Sequence, residues 1–432
     1  MKISRLAELF SALLALSIAS ASPVDGRSKL LLVILDGFRW DMDKLENLPN
    51  LAAFSAEGVK VPYVTPAYTT LTVPNIFSIF TGCYPETHGV LHNIAFDKST
   101  GHLGSPEDVK NMTEYLNPGI ETIGMTASQQ SKRVGTYNLI PIPGALPDIY
   151  AYEPYATKNE TYSTLLAGVD KVLDWFSKSN VDFSAFYAGM LDTACHIYGP
   201  ESPEARTALQ LDGVIGYLLQ QVKQRGMKDL NIILVADHGM RQVQNVSNPI
   251  EILRYVNASS LQMLIADYGP LALIQPAPGR REEVYAALFG SHRNLTVYYK
   301  EDFPTRFHYA NSPRMTDILA MADPGYVIYS RYPSPYYALQ GDHGYDNQDL
   351  YMKALFRAWG PNFRRGYVRS DPFDSVHIYP LMCEILGIEP NPNNGSLAEV
   401  KDMLVGVSPS QGFQHVAKGQ LLLIVMVVLT VM

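Results

Sequence analysis

Cysteine is scarce in this chain, with only three in 432 residues: Cys83, Cys195 and Cys383. Three cysteines exclude a disulfide framework as the basis of the fold. A run of basic residues is also absent, and the net charge of −8 argues against nucleic acid as a partner. Charged residues make up 18% of the chain and hydrophobic residues 47%, a balance that excludes intrinsic disorder. The sequence has no internal repeat, and its length is within the reach of one large α/β domain.

The N-terminus carries the pattern of a secretory signal peptide. Lys2 and Arg5 precede an apolar run over residues 9–18, and the small residues Ala19 to Ala21 follow it. A basic start, an apolar middle and a small-residue end are typical of a segment that is cleaved after export. Residues 1–21 are therefore predicted to be removed.

The C-terminus ends in twelve mostly apolar residues, Leu421 to Met432. This run is short for a membrane span, which needs about 20 residues. Small residues and a polar spacer precede it, so residues 406–432 are predicted to be a GPI-anchor signal. Ser410 is the first candidate for the anchored residue and Ser408 the second. The alternative is a tail anchor or a plain hydrophobic end.

Acceptor sequences for N-glycosylation agree with a secreted fate. A single N-x-S/T match arises easily by chance, but several in a chain with a signal peptide favour glycosylated surface loops. The acceptors are Asn111, Asn159, Asn245, Asn257, Asn294 and Asn394.

The pattern of apolar runs predicts an α/β fold. The run over residues 30–35 is typical of a buried parallel strand, and residues 181–187 and 231–235 repeat the pattern. Residues 59–64 are predicted to form a further strand. Helical spacing over residues 164–178 and 202–226 alternates with these strands. We therefore expect a central, mostly parallel sheet with helices on both faces. The main domain spans residues 28–405, and a less regular region at about 245–331 is a candidate inserted subdomain. Within it, residues 268–275 and 295–299 are typical of strands.

Thr72 occupies the start of a predicted helix. Pro74 suits a first helical turn, and Gly82 supplies the stop. A hydroxyl at a helix N-terminus most often caps the helix. It can also serve as a nucleophile aimed at a phosphate, because free N–H groups and the helix dipole attract anions there. Both interpretations are open from this stretch alone.

Acidic residues and histidines follow the predicted strands. Asp192 and His196 are four apart, so a helical turn places both on one face. Asp237 and His238 are adjacent, so they point apart and could serve two different ions. Three carboxylates and three imidazoles provide three ligands for each of two ions, and a mixed oxygen and nitrogen set suits Zn²⁺. The candidate ligands are Asp36, Asp192, His196, Asp237, His238 and His343.

Each candidate ligand also has a structural interpretation. Asp36 and Asp237 each precede or nearly precede a glycine, so each could belong to a strand-ending turn. His196 could be a hydrogen-bonded core histidine. Short motifs mislead often when taken singly. Six residues of suitable type after strands, together with a hydroxyl at a helix N-terminus, favour a two-metal centre for phosphoryl transfer.

The motifs that hold these residues occur in an order that is similar to a known family. LDGFRW begins at Leu35, TLTVPN at Thr70, DTACHIYGP at Asp192, ADHGM at Ala236 and GDHGYDN at Gly341. From about residue 29 to residue 404 the chain resembles the ectonucleotide pyrophosphatase/phosphodiesterase family of the alkaline phosphatase superfamily. The resemblance implies an alkaline-phosphatase-like fold and makes residues 28–405 a phosphodiesterase catalytic domain.

The resemblance also implies roles for single residues. Thr72 would be the nucleophile and a ligand of one zinc ion, and Asn93 would donate a hydrogen bond to a phosphate oxygen. The reaction would be ping-pong, through a phospho-threonine that water then hydrolyses. The first zinc would be held by Thr72, Asp36, Asp237 and His238, and the second by Asp192, His196 and His343.

Four stretches are most similar to the alkaline sphingomyelinase branch of that family, with the choline-specific glycerophosphodiesterase branch as its neighbour. They are DGFRWDMD from Asp36, YGPESPE from Tyr198, FHYANSPR from Phe307 and DPGYVI from Asp323. Tyr187 matches one aromatic residue of a choline pocket, as cation–π recognition requires, although a plain sheet tyrosine is the equal alternative. The chain departs from the family at Cys195, where a glycine is usual, and at Met190, where a glutamate is frequent. These departures affect the substrate pocket and remove no ligand.

The expected function is therefore that of a zinc-dependent ecto-phosphodiesterase that hydrolyses sphingomyelin and lysophosphatidylcholine and releases phosphocholine. The alternatives are a glycerophosphocholine or nucleotide phosphodiesterase and, from a different class, a non-catalytic cell-surface protein on the same fold. Two Zn²⁺ ions, a phosphodiester substrate and the outer membrane leaflet are the expected cofactors and partners. The expected location is the cell surface, through a lipid anchor, or the extracellular space.

Overall fold

The computed structural model describes residues 28–104, 116–139, 150–151, 160–244, 249–333 and 339–406. Its strands are β1 (Lys29–Leu35), β2 (Val59–Lys60), β3 (Val64–Thr65), β4 (Phe96–Asp97), β5 (His102–Leu103), β6 (Val134–Tyr137), β7 (Tyr150–Ala151), β8 (Phe183–Ala188), β9 (Leu230–Val235), β10 (Arg241–Gln242), β11 (Ile250–Glu251), β12 (Leu261–Ile265), β13 (Leu271–Pro276), β14 (Leu295–Tyr299), β15 (Ile318–Ala322), β16 (Ile328–Tyr329), β17 (Gly341–Asp342), β18 (Phe356–Trp359), β19 (Tyr367–Val368) and β20 (Phe373–Asp374).

Its α-helices are α1 (Met42–Leu45), α2 (Pro49–Glu57), α3 (Thr72–Thr81), α4 (Pro85–His88), α5 (Ile123–Gln129), α6 (Tyr162–Lys178), α7 (Met190–Tyr198), α8 (Pro203–Ala208), α9 (Leu211–Gln224), α10 (Ile252–Tyr255), α11 (Arg281–Leu288) and α12 (Ile378–Leu386). Among the described residues, none of these helices has both the length and the apolar character needed to cross a membrane. The predicted signal peptide and the predicted anchor signal lie outside the described residues.

The central sheet has eight strands in the order β19-β2-β18-β9-β1-β8-β6-β7. β1 pairs in parallel with β8 on one side and with β9 on the other. β18 is antiparallel to both of its neighbours, β9 and β2. The sheet is therefore mostly parallel, as predicted, and the carboxyl ends of β1, β8 and β9 lie at one edge.

Helices cover both faces of this sheet because β1 is apolar on both sides. Leu31, Val33 and Leu35 belong to a core that includes apolar residues of α2, α6 and α9. The alternate residues Leu30, Leu32 and Ile34 belong to a second core with α3 and α12. A strand buried on both faces produces the continuous apolar run that predicted it.

A four-stranded antiparallel sheet, in the order β12-β13-β15-β14, forms within the region of the predicted insertion. β13 and β14 correspond to predicted strands, whereas β12 and β15 were not predicted. This sheet has its own apolar core, formed with α10 and α11. Other residues of this sheet belong to a second apolar cluster, which also includes Tyr68 and Leu91 of the main domain.

Two predicted elements differ from the structure. The helix predicted over residues 202–226 is divided into α8 and α9, because the N–H of Gln210 donates to Thr207 O in a tighter turn. This break allows the Asp212 carboxylate to accept the N–H groups of Asn50 and Leu51 at the start of α2. The strand predicted over residues 59–64 is divided into β2 and β3, and Pro62 between them has no N–H for a sheet ladder.

Both ends of the described chain lie at the sheet edge opposite the carboxyl ends of β1 and β9. Ser28 Oγ donates to Asn362 Oδ1 at 2.9 Å, immediately before β1 begins. The N–H of Val405 donates to Asn362 O at 2.9 Å, and the N–H of Asn362 donates to Asn231 Oδ1 at 2.9 Å. Asn231 is the second residue of β9, so the chain leaves the domain near the start of the parallel strands.

Candidate active site

The candidate ligands meet at the carboxyl edge of the central sheet. Asp36 directly follows β1, and Asp237 follows β9 after one residue. Because β1 and β9 are parallel neighbours, their carboxyl ends lie side by side. Asp192 and His196 lie on α7, which follows β8 on the other side of β1. His343 follows β17, which pairs with β10, and β10 begins three residues after His238.

One group of side chains surrounds His238. Its Nε2 lies 3.3 Å from Asp36 Oδ1 and 3.4 Å from Asp237 Oδ2. Thr72 Oγ1 lies 3.1 Å from the same nitrogen. Asp36, Asp237 and His238 offer ligand atoms within 4.8 Å of one another, so these three could hold a metal ion. The side chains of Asp237 and His238 therefore face the same candidate metal position. Their adjacency in the sequence alone also allowed them to serve two different ions.

A second group surrounds Asp192. Its Oδ2 lies 3.4 Å from His196 Nε2, and its Oδ1 lies 3.7 Å from His343 Nε2. The two Nε2 atoms are 3.1 Å apart. The His238 and His343 rings stack with centroids 3.6 Å apart, so the two groups are adjacent.

All three histidines are held through Nδ1 by a backbone carbonyl. His196 is held by Gly341 O at 2.9 Å, His238 by Gly239 O at 2.9 Å and His343 by Thr70 O at 2.8 Å. A carbonyl only accepts hydrogen bonds, so each Nδ1 carries a proton and each Nε2 is the ring nitrogen left to face a metal ion. This is the tautomer and the outer support that metal-binding histidines have.

Four carboxylates at this edge of the sheet each have an oxygen with no hydrogen-bond partner among the described residues. Unpartnered, buried oxygens are present at Asp36 Oδ1, Asp192 Oδ1, Asp237 Oδ2 and Asp342 Oδ2. Burial raises the pKa of Asp36 well above its usual range, and the nearby charges of Asp192 and Asp237 raise it further. Crowded, buried negative charge is unfavourable without compensation. Cations between these oxygens would supply that compensation, and the donor set fits them.

The histidine environments differ between the groups. Burial lowers the pKa of His343 well below its usual range, and the neighbouring His238 and His196 lower it further. Burial also lowers the pKa of His238. Burial acts in the same direction on His196, but Asp192 and Asp342 outweigh it and raise the pKa. Neutral imidazole is the metal-binding form, so His238 and His343 are ready to bind at neutral pH.

Thr72 is the first residue of α3, and Leu71 occupies the N-cap position. The Thr72 hydroxyl contacts His238 and makes no capping hydrogen bond. The capping interpretation of Thr72 is therefore wrong. Gly82 ends the helix with φ 66°, as the sequence predicted.

Two predicted substrate-binding residues lie beside this cluster. Asn93 Oδ1 accepts from the N–H of Val73 at 2.9 Å, at the start of α3. The Tyr187 hydroxyl donates to Asp36 Oδ2, and the Tyr187 side chain is buried. The structure thus gives Tyr187 a contact with a candidate ligand, whereas its contact with substrate stays a prediction.

Sequence reasoning missed Asp342. It precedes His343 in an Asp-His-Gly triplet that repeats the one at Asp237, and this repetition was the available signal. Asp342 Oδ1 accepts the N–H of His343 at 2.8 Å, as Asp237 Oδ1 accepts that of His238 at 3.1 Å. Asp342 forms a possible metal-binding set with His196 and His343, and Asp192 forms another with His238 and His343.

Cys195 does not belong to the ligand cluster although it precedes His196. Its side chain is fully buried in the core beneath α7. Burial raises the pKa of its thiol, so the thiolate form is disfavoured. The departure from the family at this position therefore adds an apolar contact and no reactive group.

The structure describes three of the predicted glycosylation acceptors. Asn257 and Asn394 are exposed, and Asn294 is half-buried with its Nδ2 donating to Asp323 at 3.0 Å. The other three acceptors and the candidate anchor residue lie outside the described residues: Asn111, Asn159, Asn245 and Ser410.

Comparison with known proteins places the chain in a family. The family described as "Type I phosphodiesterase / nucleotide pyrophosphatase" matches residues 30–346. The chain belongs to this family. Membership in the Type I phosphodiesterase family confirms the prediction of a phosphoric diester hydrolase.

Relatives of this chain are named as different phosphoester hydrolases. The human ectonucleotide pyrophosphatase/phosphodiesterase family member 7 is 39% identical over 392 residues, which are 88% of this chain and 84% of that protein. The bis(5'-adenosyl)-triphosphatase of Mus musculus is 36% identical over 385 residues, 87% of this chain and 81% of that protein. The predicted ectonucleotide pyrophosphatase/phosphodiesterase relationship is therefore confirmed.

Solved structures of this family confirm the predicted alkaline-phosphatase-like α/β fold. The structure of human ectonucleotide pyrophosphatase/phosphodiesterase 5 aligns with a TM-score of 0.78 and 32% sequence identity, covering 87% of this chain and 100% of that one. An inactive variant of the murine protein in complex with AMP aligns with a TM-score of 0.77 and 31% identity.

Proposed function

We propose that the chain is a two-zinc phosphodiesterase with Thr72 as its nucleophile. The first ion would be held by Asp36, Asp237 and His238 with Thr72, and the second by Asp192, His196 and His343. The observation that carries this proposal is the contact of Thr72 Oγ1 with His238 Nε2 beside unpartnered carboxylate oxygens. Bound ions would supply Lewis acidity that stabilises charge on the attacking and leaving oxygens.

The residues of the chain would carry the covalent steps. Thr72 Oγ1 loses its proton and forms a bond to phosphorus while the bond to the leaving oxygen breaks. The leaving oxygen takes up a proton and departs as the alcohol, which gives a phospho-threonine. Water then cleaves this ester and restores the hydroxyl. The helix dipole at the N-terminus of α3 favours the phosphate charge there. Asn93, whose Oδ1 is occupied by Val73 N–H, keeps its amide N–H groups for a phosphate oxygen.

Choline phospholipids are the proposed substrates, with phosphocholine as the product. The support is sequence similarity to family member 7 and the motifs shared with the alkaline sphingomyelinase branch. Tyr187 provides an aromatic ring close to Asp36, as recognition of a quaternary ammonium would use. The competing candidate is a nucleotide phosphodiester, which the similarity to bis(5'-adenosyl)-triphosphatase favours. Glycerophosphocholine is the third candidate.

A panel of substrates, each with and without a chelator, tests both parts of the proposal. The panel contains sphingomyelin, lysophosphatidylcholine, glycerophosphocholine and a diadenosine polyphosphate. We expect the two lipids to be hydrolysed fastest, with release of phosphocholine, and all turnover to stop with the chelator and return with Zn²⁺. Hydrolysis of the nucleotide alone would reject the lipid assignment, and turnover that survives metal removal would reject the metal mechanism.

The proposed location is the outer cell surface, with N-glycans and a lipid anchor at Ser410. The support is the order of small residues, spacer and apolar tail in the sequence, together with the exposed positions of Asn257 and Asn394. Release of the protein from cells by a phosphatidylinositol-specific phospholipase tests the anchor. Retention of the protein on the cells after that treatment would contradict it.

A further inference from the structure

A half-buried carboxylate outside the ligand cluster contacts the turn that leads into α7. Glu160 lies two residues before α6 begins, and its Oε2 accepts the N–H of Gly189 at 2.9 Å. Its Oε1 lies 3.3 Å from the same nitrogen. Burial raises the pKa of Glu160 to about 7, and the Gly189 hydrogen bond opposes that shift. Removing a carboxylate from water is unfavourable unless a contact compensates for it, so we expect Glu160 to have a structural role.

Gly189 joins β8 to α7, so its position affects both neighbours. It occupies the N-cap position of α7, the helix that carries Asp192 and His196. A Cβ on Gly189 would lie 3.0 Å from Cε1 of Tyr187 and 3.1 Å from its hydroxyl oxygen, so the turn packs tightly on that ring. A displacement of Gly189 would therefore move Tyr187 and the start of α7 together.

The same turn is linked to Asp36 twice. The Tyr187 hydroxyl donates to Asp36 Oδ2, and the N–H of Asp36 donates to Ala188 O at 3.0 Å. Asn138 Nδ2 donates to Tyr187 O at 3.2 Å and holds the other side of the turn. Glu160 provides a further hydrogen bond to this turn, from a segment 29 residues before Gly189 in the chain. A carboxylate beside the N-terminus of α7 also has a favourable interaction with the helix dipole.

We propose that Glu160 is a positioning residue of the metal centre, and that its carboxylate fixes the turn between β8 and α7 so that Tyr187 and Asp192 meet their partners. This inference rests on the proposed metal-dependent function. Glu160 touches neither substrate nor metal in this arrangement. Its effect reaches both ligand groups, through Tyr187 to Asp36 and through α7 to Asp192 and His196.

Zinc affinity and steady-state turnover of two Glu160 variants test the proposal. Glu160→Ala removes both contacts with Gly189, whereas Glu160→Gln keeps an amide oxygen that accepts the same N–H. We expect the Ala variant to bind Zn²⁺ about 10–100-fold more weakly, the range typical of lost outer-sphere contacts, and the Gln variant to stay within about threefold. At saturating Zn²⁺, kcat for bis(p-nitrophenyl) phosphate falls in the Ala variant while KM stays within about twofold.

A matched control separates position from charge. Glu204 is an exposed glutamate in the first turn of α8, so Glu204→Ala makes the same charge change away from the turn. It should leave zinc affinity and kcat unchanged. Zinc affinity of Glu160→Ala equal to that of the wild type would overturn the proposal, as would an equal loss in the Glu204 control.

A third variant covers the case in which Glu160→Ala does not fold. Glu160→Asp shortens the side chain by one methylene and withdraws the carboxylate from Gly189. We expect it to weaken zinc binding at least about fivefold relative to Glu160→Gln. A zinc affinity of Glu160→Asp equal to that of the wild type would overturn the proposal. Failure of wild-type protein to bind Zn²⁺ would instead reject the proposed function, so the two failures are distinguishable.

Discussion

The hydroxyl oxygen of Thr72 lies 3.1 Å from Nε2 of His238. Thr72 begins a helix, and His238 follows the central strand β9, so two distant segments meet at this contact. The hydroxyl thereby lies at a helix N-terminus, where phosphate charge is favoured, and beside the ring nitrogen that faces Asp36 and Asp237. This relationship is the basis on which we propose Thr72 as the nucleophile.

Replacement of Thr72 tests the nucleophile. Thr72→Ala should lower diester turnover by about 10³-fold or more, because no hydroxyl remains to form the ester. Thr72→Ser should retain turnover within about tenfold, since it keeps the hydroxyl. Rapid acid quench and mass spectrometry should find phosphate on the peptide that contains Thr72.

A threonine at the other end of the same helix provides the control. Thr81 Oγ1 donates to Phe77 O at 2.7 Å, far from the candidate ligands along α3. Thr81→Ala should lower stability by about 1 kcal/mol and leave turnover intact. Turnover that persists in Thr72→Ala, or phosphate on a different residue, would contradict the assignment.

Replacement of Asp192 tests the second metal position. Asp192→Asn removes the charge that lies 3.4 Å from His196 and 3.7 Å from His343. Bound Zn²⁺ should fall from about two ions per chain toward about one, and turnover should fall at least about 100-fold. Elemental analysis after gel filtration measures the ratio. The exposed Asp371→Asn provides the control, and two tightly bound ions in Asp192→Asn would show that this residue is not a ligand.

Replacement of Tyr187 separates its two proposed roles. Tyr187→Phe removes the hydroxyl that donates to Asp36, so zinc affinity should fall by about tenfold. A role of the ring in choline recognition would show in Tyr187→Leu, which removes the ring, as a selective rise in KM for lysophosphatidylcholine over a nucleotide diester. Tyr367→Phe, which removes a hydroxyl bonded to Asp402 at 2.8 Å, is the matched control. Unchanged zinc affinity in Tyr187→Phe would show that the hydrogen bond between Tyr187 and Asp36 does not contribute to zinc binding.

Two buried histidines should make the fold sensitive to acid. Burial lowers the pKa of His88 and of His92 to about 3, below the value of about 6.5 in an unfolded chain. Protons then bind the unfolded state preferentially, so stability is complete above about pH 6.5 and decreases as pH falls toward 3. At pH 5 each histidine lowers the free energy of unfolding by about 2 kcal/mol.

Urea unfolding of a His92 variant at pH 7.5 and pH 5.0 checks this prediction. His92→Asn keeps an acceptor for the N–H of Ile94, which His92 Nδ1 accepts at 3.1 Å, and cannot be protonated. Compared with wild type, it should lose about 2 kcal/mol less stability on acidification. Both proteins are measured with saturating Zn²⁺, so metal release contributes equally. The exposed His102→Asn should behave as the wild type, and an identical pH response of His92→Asn would contradict the prediction.

The parts of the site that follow strands or begin helices could be predicted from sequence. Asp36, Asp237 and Thr72 are marked by their position at the end of an apolar run or at a helix start, which is local information. The contact between Glu160 and Gly189 could not be predicted, because it depends on how α6 and α7 pack. The carbonyl partners of the three histidines depend on tertiary packing in the same way.

The fold was predictable where strands are buried on both faces. β1 is a continuous apolar run for that reason, and its assignment was confirmed. β15 was missed because its sequence, Ile-Leu-Ala-Met-Ala, is rich in residues that favour helices, and only its pairing with β13 and β14 makes it a strand. Sheet pairing overrides local preference there, so sequence periodicity gave no signal.

The described chain ends beside Asn362, and this position determines how the protein would be oriented if it were attached to a surface through its C-terminal side. Val405 is bonded to Asn362 near the start of β9, whereas Asp237 lies beyond its far end, about 20 Å away at the usual rise per residue. A protein immobilised through the segment after Gly406 would therefore present its ligand cluster away from the support. Biosensor measurements with a C-terminal tag would leave substrate access open, whereas cross-linking through the exposed side of α7 would obstruct it.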